Sequence, residues 1–171
     1  MYAELLTLRL IHILSAIIWL GGGILTAFFL IPAVSGSQAA MMELMAGLKR
    51  RHFFVFQPIS ATLAILSGLR LLWIDSAGFT GSYFDTATGR AFSWGGLSAI
   101  IAYIISYGVA FPLNSRVAKI DARLREIAAG QERDHLSRDL NRLRRRAGIA
   151  SLATVWLGIL AACAMAVARY A

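Results

Sequence analysis

The chain of 171 residues holds a single cysteine, Cys163, inside an apolar run, so neither a disulfide framework nor a CxxC metal site forms within one chain. Carboxylates are scarce too, with nine Asp and Glu against seventeen Lys and Arg. No two acids share an apolar stretch, which removes paired-carboxylate chemistry, and no Ser-His-Asp arrangement is found. No strand-like run precedes a phosphate-cradling glycine loop. The triple glycine Gly21 to Gly23 stands inside a hydrophobic segment, where it reads as a place of close helix or ligand approach. What the chain has in excess is apolar residues, 58% of the whole, which is too many for an ordinary soluble domain and fits one compact membrane unit covering residues 1–171.

The longest apolar stretch, Leu10 to Val34, contains no Asp, Glu, Lys or Arg. As a helix it extends roughly 37 Å at about 1.5 Å per residue, enough to cross a bilayer core of about 30 Å. Further spans are expected at about 53–74, 92–113 and 147–168, with Pro112 kinking the third. The expected fold is all-α: an integral membrane four-helix bundle. Glu4 and the absence of a basic run ahead of a long apolar segment argue against a cleaved secretory leader.

The loop from Ser35 to His52 carries Lys49, Arg50 and Arg51 against Glu43, and the segment from Ser115 to Arg146 carries a net charge of +5. The opposite side holds Arg9, Arg70, Arg90 and Arg169 against Glu4, Asp75 and Asp85. The positive-inside rule then puts the basic segments in the cytoplasm and both termini in the periplasm of a bacterial inner membrane. The same asymmetry accounts for the net charge of +8 without nucleic acid as a partner; the partners expected are the bilayer and a second copy or larger membrane complex. Met41, Leu44, Met45 and Leu48 recur at helical spacing after Ser35 and Ser37, which marks an amphipathic segment over about 37–51. Two more stripes, Val117, Ile120, Leu124 and Ile127, then Leu136, Leu140 and Leu143, are separated by Gly130. They predict a cytoplasmic helical hairpin over about 115–146 between the third and fourth spans, supported by the pairs Asp121 with Arg125 and Asp134 with Arg138. Small residues four apart (Ser60, Ala64, Gly68; Ala102, Ser106, Ala110; Gly158, Ala162, Ala166) mark the faces expected to pack. The loop from Asp75 to Ala91, with Phe79, Tyr83 and Phe84, is expected to cap the outer mouth.

Function is sought at His12. Counting along the helix, His12, Ser15, Trp19, Gly22 and Thr26 share one face, and none is aliphatic. An ionisable residue inside a membrane span is a functional candidate in its own right. Arg9 and Arg70 lie at similar depth, so the imidazole and guanidinium groups suit a b-type haem, with His12 on iron, Arg9 and Arg70 on the propionates, Trp19 beside the ring and Met165 as the second axial ligand. A quinone or another anionic lipid-like molecule would suit the same groups. Copper is the alternative cofactor, through Met41, Met42, Met45 and His52 or through Met165, Cys163 and His12, and would make the protein a copper-handling transporter or permease. A ligand-free accessory subunit is the third reading. No catalytic residue is expected.

The pattern LxHxxxxxxWxGG, carried by Leu10, His12, Trp19, Gly21 and Gly22, resembles the first helix of the CopD-like (copper-resistance D) small membrane proteins and of the related HemJ-type protoporphyrinogen oxidases. The similarity extends to the basic segment before Phe53, to Pro58 and Ser67-Gly68, and to the basic hairpin. It implies a four-helix membrane protein in which His12 matches the histidine expected to ligate haem. HemJ-type proteins carry a lysine near the start of the third helix, whereas this span reads AFSWGGLSAIIAY with Ser98 near that place. The resemblance therefore implies haem or metal binding through His12 rather than protoporphyrinogen oxidation.

Overall fold

The computed structural model describes residues 2–127 and 130–170, the side chain of Arg169 excepted. Arg169, placed by the sequence at the outer end of the fourth span, thus lies outside the described side chains. Helix α1 (Tyr2–Leu25) leads through a π segment (Thr26–Leu30) into α2 (Ile31–Val34). There follow α3 (Gln38–Arg50), α4 (Phe53–Asp75), the short α5 (Gly81–Phe84) and α6 (Ala87–Ile104). A second π segment (Ile105–Ala110) joins α6 to α7 (Phe111–Glu126), and α8 (Gln131–Val167) ends the chain with a 3₁₀ turn. Among the described residues four helical runs are long and apolar enough to cross a membrane: Tyr2–Val34, Phe53–Asp75, Ala87–Glu126 and Gln131–Val167.

Both π segments have the same cause. Pro32 and Pro112 lack an amide hydrogen, and each ring collides with the carbonyl four residues back, at Phe28 and Gly108. The helix widens over those carbonyls, and the amide just before each proline bonds five residues back instead of four: Ile31 N–H to the Thr26 carbonyl, and Phe111 N–H to that of Ser106. The kink expected at Pro112 is thus a π segment, and Pro32, not singled out in the sequence, makes another.

The helices pack as two principal pairs, α1 against α4 and α6 against α8, with α7 also lying along α8. The interior is built of small side chains: Ser15, Ser60, Ala61, Ala64, Ser67, Ser98, Ala102, Ala110, Ala147, Ala150 and Ala161 are buried. Large apolar residues such as Ile17, Phe29, Leu66, Trp94 and Leu160 face outward. This inversion of the soluble pattern is what a lipid solvent requires. The expected packing face holds for α4 and for α6 into the second π segment. In α8 it is shifted: Ala162 and Ala166 are exposed, and Ala161 and Ala168 are buried in their place, because α8 turns its side with Ala161, Ala164 and Met165 to Gly95 of α6.

Ser37 caps α3, its hydroxyl accepting from the Ala40 amide at 3.2 Å, and Met41, Leu44, Met45 and Leu48 form the half-buried face. Between α7 and α8, Asp121 accepts from Arg144 at 2.9 Å as well as from Arg125 at 3.2 Å on its own helix, and Arg123 meets Glu132 at 3.3 Å. On α8 the described i,i+4 pair is His135 with Asp139 in place of the expected Asp134 with Arg138. The expected turn near Gly130 includes residues 128 and 129, which lie outside the described residues.

After α4 the chain turns sharply at Ser76, which is buried, accepting Phe79 N–H on its hydroxyl and Thr80 N–H on its carbonyl. Ala77, Gly78 and Phe79 all take positive φ there. Trp73 meets Phe79 edge-on at 5.1 Å, and Phe79 stacks with Phe84. Tyr83 joins this cluster; its phenol is held above its ordinary pKa by burial first and by the Asp75 carboxylate second. Thr86 then caps α6 through the Gly89 amide at 2.9 Å.

Gly89 is required by close approach, since a Cβ there would stand 2.0 Å from the Tyr83 carbonyl oxygen. Gly89→Ala is expected to cost about 1–3 kcal/mol in thermal or denaturant unfolding in detergent, because a backbone atom must move. Gly96→Ala, where nothing lies within 4 Å, stays within about 0.5 kcal/mol of the parent. Equal stabilities for the two variants would show that the turn does not press on α6.

Candidate functional site

His12 sits on the face of α1 that packs against α4. The two helices run antiparallel, with Glu4 beside Arg70, His12 beside Ala64 and Gly68, and Gly22 beside Gln57. His12 Nδ1 lies 2.8 Å from the Ala64 carbonyl oxygen. That oxygen can only accept, so the proton of this bond is on Nδ1 and the lone pair of the neutral ring is on Nε2. Ser67 Oγ is 3.4 Å from the same Nδ1 and donates to the Leu63 carbonyl. Among the described residues no hydrogen bond reaches Nε2.

Gly68 is the seat of the ring. A Cβ at this position would come within 2.8 Å of His12 Cε1 and 3.1 Å of Nδ1, so only glycine lets α4 approach this closely. The imidazole is thereby held twice, by a carbonyl at one ring nitrogen and by backbone against its face.

The other sequence candidates are distributed around this point. Arg9, one turn outward on the same helix, is exposed and makes no ion pair among the described residues. Arg70 gives both Nε and Nη2 to Glu4 Oε1, at 3.2 and 2.7 Å, in a pair about half exposed. Such a pair is worth little to stability, but it ties the outer ends of α1 and α4 together. Trp19, two turns inward from His12, meets Tyr103 of α6 edge-on with ring centroids 6.3 Å apart. Tyr103 in turn lies 3.0 Å from the Thr62 hydroxyl, which donates to the Pro58 carbonyl.

Met165 belongs to the other helix pair, packed over Gly95, where a Cβ would meet its Cγ at 3.0 Å. No described contact joins it to His12. Cys163 is exposed. On α3, Met41 and Met45 share the half-buried face and Met42 is exposed, while His52 stands in a left-handed conformation at the start of α4. Among the described residues no three His, Cys, Asp or Glu side chains gather as a metal site.

Sequence reasoning missed the partners of His12. Ser67 and Gly68 were visible as a small-residue step on α4, but a backbone carbonyl carries no letter. Tyr103 could have been found from its spacing of four to Tyr107 on an apolar span. Gln57 was visible as an amide in an apolar run, and the structure lays it over Gly22, with Oε1 buried and unpaired.

A bundle of apolar helices with small residues inside, large apolar residues outside and one imidazole held between two spans defines a multi-pass integral membrane protein. The chain belongs to the DUF2269 family, described as predicted integral membrane proteins, whose model matches residues 6–169. No curated protein and no solved structure matches it.

Gly68→Ala should push the imidazole off its seat. In a sample labelled with ¹⁵N-histidine, the Nδ1–H signal of His12 is expected to move, with a loss of about 0.6–1.7 kcal/mol if the interhelical bond breaks. Gly21→Ala, in open space, leaves the signal in place. An unmoved signal in Gly68→Ala would refute the seating.

Proposed function

We propose that this protein is a CopD-like membrane protein that holds a b-type haem through His12 near its periplasmic face, for electron transfer or as a subunit of a larger membrane complex. The observation that carries the reading is a lone imidazole whose Nδ1 is committed to a carbonyl while Nε2 is left over. Metal-ligating histidines are commonly oriented in this way, with one ring nitrogen donating to a carbonyl and the other facing the metal. A bare metal ion needs several protein ligands, and among the described residues no three His, Cys, Asp or Glu side chains gather. A porphyrin brings four nitrogens of its own, so one histidine suffices.

The fit also limits where such a group would lie. The interior between the helices is filled by Ala and Ser, so a macrocycle would rest against the outer edge of the α1–α4 pair. Arg9 is free there to take a propionate, whereas Arg70 would share its charge with Glu4. Trp19 and Met165, two turns inward and on the other helix pair, are less suited to touch it. When bound, the haem supplies one-electron exchange; the chain's own part is to orient Nε2 by the Ala64 bond, raise its basicity and keep the iron at a fixed depth. The LxHxxxxxxWxGG resemblance supports the same assignment.

The test is an absorption spectrum, oxidised and dithionite-reduced, of protein purified from haem-replete cells. A Soret band that shifts on reduction, is lost in His12→Ala and weakens several-fold in Arg9→Gln is expected. A haem signal unchanged in His12→Ala, or a colourless parent protein carrying stoichiometric copper, would overturn the assignment.

The charge asymmetry supports an orientation with α3 and the α7–α8 turn in the cytoplasm of a bacterial inner membrane. In a Cys163→Ser background, Ser82→Cys is expected to react with an impermeant maleimide in spheroplasts, and Ala122→Cys only after permeabilisation. The reverse pattern would invert the topology.

A further inference from the structure

At the other end of the bundle from His12, the last turn of α3 runs Gly47, Leu48, Lys49, Arg50 and then Arg51, which is its C-cap. Arg51 N–H bonds to the Gly47 carbonyl and His52 N–H to that of Lys49, and His52, at φ 56°, turns the chain directly into α4. This sharp reversal leaves a recess of about 450 Å³ lined by Gly47, Arg50 and Arg51. Nothing lies within 4 Å of where a Gly47 Cβ would stand, so this position faces open space and a larger side chain there would have room to enter the recess.

Its charge is unanswered. No described ion pair involves Lys49, Arg50 or Arg51, as none involves Arg142 or Arg145 of α8, whereas Arg123, Arg125 and Arg144 pair with carboxylates. Glu43, one turn from Gly47, is the nearby acid and is exposed without a described cation partner. Basic residues in a last helical turn do favour the helix dipole, but that role needs no recess. Just past it, the first turn of α4 presents Phe54, Val55 and Phe56, all exposed at the lipid-facing start of a membrane span. On α3 itself Met41, Leu44, Met45 and Leu48 form an apolar face beside the polar one.

From this juxtaposition we infer that the recess at the α3–α4 turn binds the phosphate of an anionic glycerophospholipid. The guanidinium groups of Arg50 and Arg51 present several N–H donors to the phosphate oxygens, and the acyl chains run along Phe54 and Phe56. Free phosphate would use the same donors but would leave the apolar border unused. The site is independent of any group on His12.

The experiment is native mass spectrometry of the full chain in detergent, with phosphatidylglycerol and phosphatidylcholine offered at equal amounts. One phosphatidylglycerol per chain is expected to be retained over phosphatidylcholine. The double variant Arg50→Gln/Arg51→Gln should weaken this retention on the order of tenfold or more, at about 1 kcal/mol per basic residue near an anionic lipid. Gly47→Leu keeps every charge and fills the recess, so it should lose the lipid as well, with helical content unchanged by circular dichroism. Arg142→Gln/Arg145→Gln removes the same charge from α8 and should keep the lipid. Loss in this last variant equal to that in the first, or full retention in Gly47→Leu, would mean diffuse attraction and overturn the site. Displacement of the lipid by millimolar inorganic phosphate that binds with the same variant dependence would overturn the lipid as its occupant.

Discussion

In a bilayer, helices gain nothing by hiding apolar surface from lipid tails that are equally apolar, so their association depends on how closely the backbones approach. That constraint runs through this molecule. Its buried positions are mostly alanines and serines, with Leu140 and Val155 besides, and several of its large side chains are set onto a glycine of the neighbouring helix. Four such seats recur: His12 on Gly68, Gln57 on Gly22, Leu20 on Gly158 and Met165 on Gly95. Two fasten α1 to α4, one fastens α1 to α8 and one fastens α6 to α8. Each brings a long side chain against backbone, where a methyl group would force that side chain or its helix to shift.

The same constraint explains which parts of the fold were legible. Hydrophobic length located the four spans directly, because lipid demands about twenty apolar residues and allows only helices to carry them. The helix ends were harder to place. The first helix begins at Tyr2, eight residues before the uncharged stretch, because Glu4 and Arg9 sit at an end where Arg70 can answer Glu4. The cap of α3 was readable in Ser37, since capping needs only a hydroxyl at the right step. The packing face of α8 was legible only in part: Gly158 does seat Leu20, but further along alanines stand on more than one of its sides. Only the neighbour decides, and Gly95 selects the side bearing Ala161, Ala164 and Met165.

Of the site, His12 was legible for a simple reason: it is the one ionisable side chain in a run of 25 residues free of Asp, Glu, Lys and Arg. Its partner was not, because the Ala64 carbonyl belongs to the backbone. Depth along a helix was a fair guide to which residues share a level, and it put Arg9, Arg70 and Met165 near His12. It carries no information about azimuth. Arg70 turned to Glu4, and Met165 to α6.

An intramembrane histidine invites two explanations, as a hydrogen bond between helices or as a ligand, and they are often set against each other. An imidazole has two nitrogens, and the explanations exclude one another only when both are occupied by protein. Here the Ala64 carbonyl and the Ser67 hydroxyl approach the same one, Nδ1. A structural histidine needs a bond at only one nitrogen, so the leftover Nε2 fits either explanation, and the proposed ligation would use it. On that proposal the hydrogen bond is the means by which the fold sets the direction of the lone pair.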